Sequence, residues 1–83
     1  MKLIDRLVKI KTVDDIDEQI SLAKQYARRL RAAAQAKLLK GETLIVQGKL
    51  KEAESTLRKL RMRCFDIEDA IVAGNYQPQS FNS

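Results

Sequence analysis

The residues able to carry chemistry in this 83-residue chain are few and unevenly placed. Cys64 is the one thiol, and the chain has no His and no Trp. That composition excludes a disulfide within the chain, a Cys/His zinc site and any His-dependent triad. Cys64 falls in an apolar helical seam, where a thiol packs as a small hydrophobe rather than acting as a nucleophile. Asp14, Asp15, Asp17 and Glu18 form an acidic run, but the central Gly of a calcium loop is missing. Their bland account is better: acidic residues in the first turns of a helix meet the positive end of its dipole. Carboxylates among many Arg and Lys stay ionised, so no general acid or base is expected. The residue types therefore predict no enzyme activity, no cofactor and no metal.

Positive charge is the stronger signal. Residues 24–63 carry twelve basic residues against Glu42, Glu52 and Glu54, a net +9. Residues 1–23 carry −1 and residues 64–83 carry −3, which gives the chain total of +5. The candidates for meeting a polyanion are Lys24, Arg28, Arg29, Arg31, Arg58, Lys59, Arg61 and Arg63. They occupy several outer helix positions rather than one stripe, and no aromatic residue is interleaved for base stacking. An acidic protein partner is therefore favoured, and a nucleic-acid-binding accessory role is the alternative.

The elements that must position these residues are helical. Three Gly and one Pro leave few breakers, and apolar residues make up 45% of the chain. The expected fold is all-α: an antiparallel hairpin of helices over about 13–47 and 50–73, with a short helix over about 2–10 folded back on it, three-helix and coiled-coil-like. Residues 1–75 form a single domain and 76–83 a mobile tail. Leu3, Ile4, Leu7 and Val8 give the short helix its apolar face. Thr12 followed by Asp15 resembles a capping box that starts the second helix.

That helix has a seam at Ile16, Ile20, Ala23, Ala27, Leu30 and Ala34, in alternating steps of four and three. Gly41 costs about 1 kcal/mol in a helix interior, so a break near Lys40–Gly41 is the alternative to a continuous helix. The turn is expected at Gly48, and the third-helix seam is Leu50, Ala53, Leu57, Leu60, Cys64, Ile67 and Ile71. Gly74 is expected to cap its end.

A turn at Gly48 makes the numbers of facing residues sum to about 96. Asp66, Glu68 and Asp69 then approach Arg28, Arg29 and Arg31. A fold-back at Thr12 brings Ile4 to Ile20 and Val8 to Ile16. Phe65 and Val72 are expected beneath the first helix. Leu39 and Val46, one heptad apart and rimmed by Lys40, Lys49 and Lys51, have no partner in this scheme. They predict a homodimer or partner interface at the turn end.

Residues 41–57 (Gly41, Leu44, Gly48, Ala53 and Leu57 at the small or apolar positions) resemble the core of a tetratricopeptide helix pair. The resemblance implies a partner-binding helical scaffold. No stretch reaches the roughly 18 apolar residues of a membrane span. The first helix is basic and amphipathic, but Asp5 and an intramolecular groove argue against a membrane surface. Asp5 also interrupts the apolar run that a signal peptide needs, so a cytoplasmic protein is expected.

Overall fold

The computed structural model describes residues 2–36 and 40–82, and only the backbone of Lys40. It is all-α, with α1 at Leu3–Leu7, α2 at Val13–Gln35, α3 at Lys40–Val72 and a short 3-10 turn at Pro78–Phe81. The two long helices pack against each other as a hairpin, while α1 lies against α3 and the 3-10 turn.

Local chemistry sets several boundaries. The Thr12 hydroxyl accepts from the Asp15 N–H at 3.3 Å. The Asp15 carboxylate in turn accepts from the N–H groups of Lys11 at 2.9 Å and Thr12 at 3.0 Å. This is a full capping box, and it fixes where α2 begins. The two N–H groups, that of Lys11 first, hold the Asp15 carboxyl below its ordinary range. At the other end, Gly74 has φ of 76°, the left-handed conformation. Its N–H donates to the Ile71 carbonyl, and the Asn75 N–H donates to the Ala70 carbonyl, the paired bonds of a Schellman cap.

The hairpin boundaries depart from expectation. α2 stops at Gln35, not near 47, and α3 starts at Lys40, not near 50. Gly48 sits inside α3, exposed, with nothing near the place a Cβ would occupy. The break lies close to Gly41, where a first-turn glycine is cheap. Residues 41–57 are thus one continuous helix, and the likeness to a tetratricopeptide hairpin ends there.

Packing explains the change. The pairs Ile16 and Ile67, Ala23 and Leu60, and Ala27 and Thr56 are all buried, and each has numbers summing to 83. Arg31 reaches Glu54 at 3.1 Å, a sum of 85. This register sets Ile67 against Ile16, Leu60 against Ala23 and Thr56 against Ala27, and covers the α2 seam from Ile16 onward. A sum of 96 would leave residues 13–21 bare and place Ile67 level with Arg29.

The core sits at the end away from the hairpin break. Leu3, Leu7, Ile10, Ile16, Ala23, Leu60 and Ile67 form one buried cluster. Each fully buried Leu or Ile there contributes about 1.5–3 kcal/mol. The chain turns at Val8 and Lys9, so Val8 is 47% exposed instead of facing Ile16, while Ile10 beyond the turn is buried. Phe65 and Val72 are not beneath α1 either; they are 75% and 76% exposed. The segment expected as a tail carries the 3-10 turn Pro78–Phe81. Tyr76 and Phe81 pack on the core cluster, with ring centroids 5.8 Å apart.

Two substitutions check this arrangement. Gly48→Ala should stabilise the protein by about 0.5–1 kcal/mol, because the site is an open helix interior. A turn at Gly48 would give the opposite sign in a denaturant titration. Leu60→Ala should cost about 2–5 kcal/mol in the same measurement, as for a fully buried Leu.

Candidate functional site

The register decides where charge goes. With facing numbers summing near 85, Lys24 lies level with Arg61, and residues 24–63 become one contiguous part of the hairpin. The +9 of that segment is gathered on the side of the hairpin break. Residues 1–23 and 64–83, together −4, form the opposite end. Asp66, Glu68 and Asp69 thus stand level with Asp17 and Glu18 and not beside Arg28, Arg29 and Arg31, as a turn at Gly48 would have it. The molecule is charge-polarised along a long axis of 49 Å, about the length of a 33-residue helix.

Within the basic part, Lys24, Arg28, Arg29, Arg58 and Arg61 are exposed, and Lys59 is half-buried. Arg31 is held by Glu54 in a pair with both side chains about half exposed, which is worth little in stability. The Arg63 guanidinium donates to the Phe81 carbonyl and fastens the chain end. Lys24, Arg28 and Arg31 recur at helical steps along one flank of α2, while Arg29 lies across the helix from them. The eight candidates thus spread over both flanks of the hairpin rather than one groove.

At the break end, Lys49 and Lys51 are exposed and Val46 is half-buried. Leu39 and the Lys40 side chain lie outside the described residues. The apolar residues that α3 does present there are Leu44 and Ile45, 64% and 61% exposed. No residue among the described part of Gly41–Glu52 is buried, so this end of α3 stands clear of the core. With a turn at Gly48, the sequence singled out Leu39 and Val46 at this end rather than Leu44 and Ile45.

The acidic end holds the polar groups that sequence reasoning missed. Arg6 and Gln19 are both buried, and the Arg6 guanidinium donates to the Gln19 Oε1 at 3.3 Å. Desolvation lowers the Arg6 pKa, while Tyr26 acts in the opposite direction. The Tyr76 hydroxyl donates to the Leu7 carbonyl at 2.6 Å and ties the chain end to α1. Beside it lies an open cleft of about 310 Å³, mainly between Val8, Ile10, Ile71 and Tyr76. Cys64 is half-buried against the core. Among the described residues there is no cluster of three His, Cys, Asp or Glu able to hold a metal, and no helix is long and apolar enough to cross a membrane.

No protein-family profile, curated protein or solved structure matches this chain.

Burial raises the Tyr76 pKa above the ordinary tyrosine value of 10.0. The stability this group supplies is complete below the unfolded-state value near 10 and is lost as pH rises through the higher folded-state value. Tyr76→Phe should cost about 1 kcal/mol at neutral pH through the lost hydrogen bond. The variant should also lose less stability than the wild type between pH 9 and about 11, as followed by urea unfolding across that range.

Proposed function

We propose that this chain is a non-catalytic adaptor or regulator that binds an acidic protein surface through its basic, break-proximal half and acts as a homodimer. The observation that carries this reading is the coincidence of charge and apolar exposure at one end. Leu44 and Ile45 are exposed on a segment of α3 clear of the core, and Lys49 and Lys51 stand beside them. Apolar burial supplies affinity, while a basic rim steers an acidic surface into place and disfavours basic competitors. The +9 segment adds a long-range attraction that salt screens, with a Debye length of about 8 Å at physiological ionic strength.

A nucleic-acid-binding accessory role is the second reading. What favours it is the register, which sets Lys24 of α2 level with the basic run 58–63 of α3 and Arg28 about a turn before it. Against it stands the division of those residues between two flanks. A continuous phosphate track needs them along one path.

Affinity capture from the native cell separates the readings. The wild-type chain should retain an acidic protein that elutes when salt is raised. The double variant Leu44→Glu, Ile45→Glu should lose that protein while keeping its helical circular dichroism. Retention on duplex DNA or RNA with a steep salt slope, unaffected by the double variant, would transfer the function to the basic flanks.

A further inference from the structure

α3 buries one face and leaves the opposite one bare. Ala53, Thr56, Leu60 and Ile67 point into the hairpin. Half a helical turn away, Arg58, Met62, Phe65, Asp69 and Val72 follow one another at steps of four, three, four and three. All five are exposed, with Met62 at 73%, Phe65 at 75% and Val72 at 76%. This is the spacing of a helix that packs lengthwise on another, on the side where this chain supplies no partner.

The charges along this face are ordered. Arg58, Lys59 and Arg61 come before the Met62–Phe65 pair, and Asp66, Glu68 and Asp69 come after it. Among the described residues, none of these six forms an ion pair within the chain. Reading the sequence backwards exchanges the two signs, so the face is complementary to itself in the antiparallel sense. We propose that two copies of this chain pack antiparallel through this outer face of α3, about a two-fold axis between Met62 and Phe65. The proposal rests on the homodimer part of the functional reading and supplies its surface.

With the axis there, facing numbers sum to 127. Met62 meets Phe65 of the second copy, a sulfur–aromatic contact, and Arg58 meets Asp69, each twice by symmetry. In an antiparallel two-fold pair, each flank of one helix meets the same flank of the other. Lys59 and Asp66 lie one heptad apart on one flank, and Arg61 and Glu68 one heptad apart on the other. Their sums of 125 and 129 leave axial offsets of about 3 Å, within reach of long side chains. All three basic residues thus find all three acidic ones.

A parallel pair in register would instead set Arg58 against Arg58 and Asp69 against Asp69, which repels. The dimer neutralises the acidic end of each copy against the middle of the other. It leaves the two Leu44–Ile45 tips free, about 58 Å apart along the helix axis and pointing in opposite directions.

Charge reversal and exchange test the arrangement by sedimentation velocity over a range of concentrations at low salt. The wild-type chain should sediment as a dimer of 9.5 kDa chains. Arg58→Asp alone, and Asp69→Arg alone, should each raise the dimer Kd by about tenfold or more, since each sets two like-charged contacts across the axis. The double variant Arg58→Asp, Asp69→Arg should return the Kd to within about threefold of wild type, because the pair is restored with its signs exchanged. Both positions are exposed, and circular dichroism confirms that each variant keeps its helices. A wild-type monomer would overturn both this surface and the homodimer reading. A wild-type dimer unmoved by single reversal, or not rescued by exchange, would overturn this surface alone and leave self-association to another face.

Discussion

The structure depends on one fit: the buried seam of α2 against the buried seam of α3. Ala23 and Ala27 let the helix axes approach, Leu60 fills the space opposite Ala23, and Ile67 packs opposite Ile16. With that fit at a sum near 83, the end of α2 at Gln35 lies level with Gly48, so Gly48 is helical and the first turns of α3 run on past α2. The end that remains open is closed by Leu3, Leu7 and Ile10 from one side and by Tyr76 and Phe81 from the other. Residues outside the two long helices thus contribute to the same core cluster.

The same fit has an electrostatic consequence. Sliding one helix by a few turns changes which charges are neighbours without changing any of them. In the register the core selects, like charges gather: acids of α2 and α3 at one end, bases in the middle and toward the break. That arrangement forgoes cross-helix ion pairs, which at exposed positions contribute about 0–1 kcal/mol. Burial of two or three Leu and Ile side chains outweighs them. Hydrophobic packing set the register, and the charge polarity that any partner meets followed from it.

The first and last elements show how few bonds place a short segment. α1 is a five-residue helix, far too short to be stable alone. It is held by its buried Leu3 and Leu7, by the Arg6–Gln19 hydrogen bond and by the Tyr76 hydroxyl on the Leu7 carbonyl. Arg6 is a buried cation with a neutral amide partner, which is costly in isolation. Its long apolar stem offsets part of that cost, as such stems do wherever they lie along an apolar surface.

By itself the sequence determined the helical class, the Thr12–Asp15 box, the Gly74 cap, the α2 seam and most of the α3 seam. Each is local: it rests on side chains within a few residues of one another, or on a periodicity that one helix repeats. The position of the hairpin break was not legible. Ala32, Ala33, Ala34 and Ala36 are strong helix formers, and Gly48 is a better turn signal than anything between Gln35 and Lys40. The seat of the chain end was hidden as well, since Tyr76 and Phe81 have no periodicity to announce burial. Exposure of Leu44, Ile45, Phe65 and Val72 followed only from the register. A seam repeats every heptad and so fits a partner at several offsets. Only the summed packing of all its positions at once, a property of the tertiary structure, distinguishes one offset from the next.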